Sequence, residues 1–317
     1  MQKLTGRSKI KQSVSPLKIA TFVLAIIPLA ALLLIILNLV LKSHLAIALE
    51  GWKLFSTSFD AQKQFGLLPA LWGTFLVTLI AMLIAAPISL MLAIIANDFS
   101  FGFVSDAVRW ATGILSGIPP IIYAMMSATF VDLFILPKFA GQGLDPARLP
   151  PPTMLPIDGS SLLGGILLAL LIVPIMAPLM DDAIHNVPHA LKEASLSLGA
   201  DRWHTLTAVT IPSALSGIGG AIELGILTAL GETIIVAYAV GFMADNLPTP
   251  LFDILQRVAP LTSTIAGISA GNFTRAEGSA LQNSLSNFIA LLLLVMAFVI
   301  LGIATYIQRR LNKRLSP

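Results

Sequence analysis

The sequence contains no cysteine, which excludes disulfides, thiolate nucleophiles and cysteine metal centres and leaves the redox compartment unmarked. Charge is scarce as well: 11% of the 317 residues are Asp, Glu, Lys or Arg, where a soluble domain carries roughly 25%. With 56% hydrophobic residues and a mean hydropathy of +0.89, a soluble globular chain is excluded. There is no Walker-type phosphate loop, no internal repeat, and no nucleophile beside a positioned base. Asp181 and His185 stand at i, i+4 with Asp182 and His189 nearby, but no third metal ligand is fixed on that face. Nor do a net charge of +3 and a pI near 9.3 indicate nucleic-acid binding, because the basic residues are scattered among loops and termini.

What the chain has instead is a series of charge-free apolar runs, each able to hold the roughly 20 residues that cross a bilayer. They cover 19–41, 64–97, 110–131, 159–180 and 278–308. The first is longer than a signal-peptide core of roughly 7–15 residues, so despite Ala46-Ile47-Ala48 it reads as an uncleaved membrane helix. A further tract, 210–243, is interrupted by Glu223 and Glu232 and is longer than a bilayer requires, which predicts one long or broken helix. The fold class is therefore an all-α polytopic membrane bundle of about six transmembrane helices.

Orientation follows from positive charge. With the N-terminus cytoplasmic, eleven Lys and Arg fall inside and seven outside, and six crossings return both basic termini to one side. The organisation is then a cytoplasmic basic tail (1–18), a first membrane helix (19–41), an external loop (42–66), a core (67–308) and a second cytoplasmic basic tail (309–317). The external segment 137–159 holds six prolines and reads as an extended loop; a short helix or re-entrant piece is expected around 251–270. Pro119-Pro120 and Pro174 with Pro178 predict breaks or kinks, Gly113-x-x-x-Gly117 and Gly267-x-x-x-Gly271 predict close helix approach, and Asp106 with Arg109 at i, i+3 reads as a helix-end ion pair.

The cytoplasmic loop at 186–204 is the most informative segment. Asn186 and Pro188 signal a helix start, Gly199 a stop, and Asp201 can cap a second short helix, so two short helices at an angle are expected. Leu191, Ala194, Ser195 and Leu198 follow i, i+3, i+4, i+7 and make one narrow face with small residues at its centre. Such a face belongs either against the protein's own inner surface or against another chain.

Glu193-Ala194-Ser195, Gly199, Ala200 and Val209-Thr210-Ile211-Pro212 resemble, in spacing and type, the E-A-A…G…I-x-L-P loop of binding-protein-dependent ABC importer permeases. The segments Gly66–Thr74, Gly117–Tyr123 and Ala229–Thr233 are similar to permeases of the phosphate importer, of the PstC type rather than its PstA partner. The resemblance covers about 60–310 and implies a type I ABC importer permease fold. It implies a second permease subunit (PstA-like, or a like copy), two ATPase subunits docked on the loop, and an extracytoplasmic phosphate-binding protein. No cofactor is expected in this chain; ATP and Mg belong to the ATPase, and nucleic acid is not a partner. Membrane lipid is.

Glu232 lies within the last interrupted tract, where an ionised side chain at mid-bilayer costs about 2.5–3.5 kcal/mol, so it should face protein or a water-filled path. The resemblance makes Thr228, Glu232 and Thr233 candidates for the translocation pathway. The phosphate permeases carry an arginine four residues before this glutamate; here that place is held by Thr228, and Glu223 stands where an aliphatic is usual. Without that cation, the expectation is a Glu232 that is protonated or paired with a cation from the partner permease. Glu223 and Glu232, nine residues apart, point to opposite helical faces and are not an acid pair. Permeases for sulfate, molybdate or tungstate, and an ATP-independent transporter or channel, are the alternatives.

Overall fold

Hydropathy and length together leave five helical stretches able to cross a membrane among the described residues: Leu24–Phe55, Leu68–Asp98, Ser161–His185, Arg202–Gly231 and Ala280–Arg310. The computed structural model describes residues 16–57, 59–60, 64–99, 102–130, 160–242, 247–270 and 279–315. In chain order the helices are α1 (Pro16–Lys42), α2 (His44–Glu50), α3 (Leu68–Ile94), α4 (Gly102–Ser116), α5 (Pro120–Phe130), α6 (Ser161–His185), α7 (His189–Ser197), α8 (Arg202–Thr205), α9 (Ile211–Gly231), α10 (Ile234–Val240), α11 (Leu261–Ser269) and α12 (Ser279–Leu315). A two-residue hairpin pairs Phe59–Asp60 with Gln64–Phe65.

The expected span at 110–131 is broken in two, as α4 and α5 on either side of Gly117-Ile118-Pro119, the break that Pro119-Pro120 predicted. Pro119 has no amide to give to Leu115 O, four residues back, so the helical ladder stops there. The Tyr123 hydroxyl takes over that carbonyl at 2.9 Å and ties the two pieces together. Pro174 and Pro178, by contrast, do not break α6, which runs unbroken through both. The proline-rich segment 137–159 lies outside the described residues, as does Gly271.

Central position belongs to α6. Leu168, Ile172, Met176, Met180 and Ile184 recur every fourth residue and are all fully buried, a continuous ridge that α3 and α9 enclose. Close approach occurs at Gly165 and Gly225: a Cβ on Gly165 would lie 2.4 Å from Ile80 Cγ2 and one on Gly225 2.4 Å from Met176 Sδ, whereas Gly113, of the first expected pair, faces open space. A second cluster gathers Leu54, Leu67, Leu261, Leu281 and Leu285 around the starts of α3, α11 and α12. The expected piece at 251–270 is irregular up to Pro260 and helical from Leu261 to Ser269, with Leu261 N bonded to Thr74 Oγ1.

The two ends of the bundle are identified by two side chains of α12. Ser284 Oγ, near its start, donates to Lys42 O at the end of α1, and Gln308 Nε2, near its finish, donates to Ser216 O just after the loop 186–204. The final turns of α12 therefore stand at the same end of the bundle as that loop. Along α1 the large apolar side chains Leu24, Leu33, Leu34 and Leu41 are exposed, a surface that hydrocarbon solvates without cost.

Candidate functional site

Val187 is buried in the main core and Pro188 follows it, so the chain leaves α6 at a fixed point before turning into α7. Gly199 adopts φ +87°, a left-handed backbone that favours glycine, and ends the helix. Asp201 Oδ1 then accepts from His204 N at 2.6 Å, the cap that starts α8. Ser195 and Thr205 join the two helices through a 2.9 Å hydroxyl contact, and a π-turn over Leu206–Thr210 leads to α9, with Pro212 in its first turn. The elbow expected from the sequence is therefore present; Thr205 was not foreseen, because nothing in the spacing of a lone hydroxyl marks it.

The candidate residues of the loop are open rather than folded inward. No residue of α7 is buried; Glu193 and Ala194 are exposed, Ser195 and Ala200 half-buried, and Leu198 is 90% exposed beside exposed Leu191 and Leu196. Of the two destinations for such a face, the protein's own inner surface is the one the geometry does not use. An exposed apolar face of this kind is open to contact with another chain.

A polar cluster sits beside the elbow. Asp181, near the end of α6, accepts from Arg109 Nε at 2.7 Å and Nη2 at 3.1 Å, and from Asn97 Nδ2. This overturns the expected Asp106–Arg109 pair: a guanidinium fork matches a carboxylate bidentately, and the buried Asp181 is held for it by Asn97, whereas an exposed i, i+3 pair is worth little. Hydrogen bonding to Asp181 holds the Arg109 guanidinium above its ordinary range, against the opposing effect of burial. Asp181 is thereby engaged away from His185, and no group of three metal-binding side chains occurs among the described residues. Lys192 of α7 reaches Asp98 at 3.2 Å.

The interrupted tract breaks at the glutamate itself. α9 ends at Gly231, Glu232 and Thr233 are non-helical, and α10 begins at Ile234. Thr228 and Glu232 therefore do not share a helical face as the spacing suggested. Glu232 Oε1 accepts from Ile234 N at 3.2 Å and Ile235 N at 3.4 Å, and its backbone carbonyl accepts from Thr262 Oγ1 of α11 at 3.0 Å. The carboxyl thus caps the first turn of the seven-residue helix α10. Thr228 Oγ1 donates to Leu224 O and Thr233 Oγ1 to Gly231 O. Glu223 is elsewhere, on a groove of about 260 Å³ between α9 and α12 lined by Ile218, Ile222, Ala304 and Ile307, with Oε1 buried and without a hydrogen-bond partner.

Residues 85–316 match the family described as binding-protein-dependent transport system inner membrane component. The phosphate transport system permease protein PstC of Mesorhizobium japonicum is 32% identical over 300 residues, 88% of each chain. A probable ABC transporter permease of Bacillus subtilis, YqgH, is 31% identical over 252 residues, 79% of this chain and 74% of that one. Among solved structures, a bacterial alginate ABC transporter in complex with its pentasaccharide-bound periplasmic protein superposes with a TM-score of 0.63 at 18% identity, over 93% of this chain and 95% of that chain; the likeness is one of fold.

Proposed function

This chain belongs to the binding-protein-dependent transport system inner membrane component family, and we propose that within it the chain is the permease subunit of an ATP-binding-cassette importer for inorganic phosphate. It is a multi-pass inner-membrane transport subunit, and ATP is hydrolysed in a separate chain. The observation that carries the reading is the α7–α8 elbow, which bears the Glu193-Ala194-Ser195…Gly199 motif on a helix with no buried residue. An ATPase groove closing on that elbow pushes against the end of α6 and α9, so nucleotide-driven closure becomes a tilt of membrane helices. The chain transduces; it supplies no chemistry.

The partners of this reading are two ATPase subunits, an extracytoplasmic phosphate-binding protein and a second permease, PstA-like or a like copy. Both termini are cytoplasmic, a placement supported by the end of α12 lying beside the loop. On this reading Thr228, in the last turn of α9, and Glu232 and Thr233, at the break that follows it, border the ion's path. There a protonated Glu232 donates a hydrogen bond to an oxyanion, while an ionised one needs a cation from the partner permease to offset repulsion. Thr228, standing in the arginine's place, is the specific reason to test other oxyanions. Proteoliposomes holding the assembled complex, offered labelled phosphate, sulfate and molybdate with their binding proteins, should accumulate phosphate only when ATP is supplied. Accumulation of sulfate or molybdate instead reassigns the substrate, and accumulation without ATP refutes the importer.

A further inference from the structure

The π-turn Ile95–Phe99 that ends α3 carries two adjacent polar residues engaged with different elements. Asn97 Nδ2 donates to Asp181 Oδ1 at 2.5 Å and to the Asp181 backbone carbonyl at 3.3 Å, both on α6. Asp98 Oδ1 accepts from Lys192 Nζ at 3.2 Å, on α7. Asp181 in turn holds Arg109 of α4 through two bonds. One polar chain therefore runs from the elbow helix to α3, then to α6 and α4.

The Lys192–Asp98 pair is largely withdrawn from water: the lysine side chain is 16% exposed and the aspartate 20%. The second Asp98 oxygen, Oδ2, is buried and lacks a hydrogen-bond partner. Charges in such a place attract more strongly than in water, and loss of one partner leaves the other uncompensated. Beyond this pair α7 is joined to α8 by the Ser195–Thr205 contact, and the chain enters it through Val187 in the core. α7 is thus fixed at a pivot, Val187-Pro188, and again about one turn further on, at Lys192. A lever held only at its pivot swings when its outer face is pushed; a second anchor obliges α3 to move with it.

We propose that Lys192 and Asp98 form a strut that passes displacement of α7 to the end of α3 and, through Asn97, Asp181 and Arg109, to α6 and α4. The inference rests on the reading of α7 as the ATPase-docking helix. Both residues act by position, away from the Glu232 break.

The test uses the full complex in proteoliposomes, with labelled phosphate uptake and ATP hydrolysis measured on one sample. K192Q and D98N are expected to lower the phosphate moved per ATP by about fivefold or more, the low end of an allosteric coupling effect, with the ATPase still bound. K192R and the charge-reversed D98K/K192D are expected to stay near the native ratio, a rescue that a merely structural role for either side chain does not give. A native ratio in K192Q, or K192R failing as badly as K192Q, overturns the strut. Because K192R keeps the charge at the same place while K192Q removes it, their comparison decides the matter even where D98N does not assemble. A native complex that moves no phosphate with ATP overturns the permease reading and the strut together; coupled uptake by the native complex beside an unaffected K192Q overturns the strut alone.

Discussion

Glu232 and Glu223 are two carboxyls nine residues apart, and their surroundings give them different expected responses to substitution. Glu232 Oε1 accepts two backbone N–H groups, a task that a glutamine oxygen also performs. Glu232→Gln is therefore expected to retain most uptake, while Glu232→Ala loses the cap and about 1 kcal/mol of stability. Uptake and thermal unfolding of the purified complexes check both, and complete loss of uptake in a normally assembled Gln variant counts against a protonated Glu232. Glu223 has a buried oxygen without a partner in an apolar groove, so Glu223→Leu should leave stability unchanged or raise it by up to about 2 kcal/mol. A clear fall in unfolding temperature would show that the carboxyl has a partner it needs. At this scale the sequence was a partial guide. The motif residues of the loop could be read from type and spacing, but Arg109 pairs 72 residues away with Asp181, and Lys192 pairs 94 residues away with Asp98; local spacing carries no information about either.

Elements respond to how their ends are built. The elbow depends on Gly199 at φ +87°, where a side chain costs about 1–2 kcal/mol, so Gly199→Ala should reorient α8 against α7. Leu198, being 90% exposed, contributes little to the fold of its own chain. Leu198→Ser is expected to leave the unfolding temperature of the permease unchanged and to weaken retention of the ATPase on purification, whereas Gly199→Ala should abolish ATP-dependent uptake. Full ATPase retention and full uptake in both variants would remove the elbow from the coupling path. The helix signals Pro188, Gly199 and Asp201 made this element legible, since each acts within one turn of itself. The break between α4 and α5 was only half legible: Pro119-Pro120 announced a kink, yet whether a kinked helix continues or stops depends on what satisfies the Leu115 carbonyl, which here accepts from Ile118 N and from the hydroxyl of Tyr123, one turn beyond the prolines.

For the whole molecule, the absence of cysteine turns topology into a direct measurement. Single-cysteine variants at Ser197, on the elbow, and at Trp52, 90% exposed and ten residues past the end of α1, report on the two sides of the membrane. A membrane-impermeant maleimide should label Trp52→Cys in intact spheroplasts and Ser197→Cys only after lysis; the opposite pattern inverts the bundle and separates the elbow from cytoplasmic ATP. The sequence by itself determined that the chain lives in a bilayer, roughly where it crosses, and which loop bears the Glu193-Ala194-Ser195…Gly199 motif. Those properties are sums over runs of neighbouring residues, namely the transfer free energy of an apolar stretch, the asymmetry of its flanking charges, and the start and stop chemistry of short helices. Only the tertiary structure decided that the α7 face stays open, that Glu232 ends a helix instead of sitting within one, and that Asp181 and Asp98 tie four helices together. The physical reason is that burial, hydrogen-bond satisfaction and charge pairing are settled between residues distant in the chain, by the side chains that packing around α6 brings within reach.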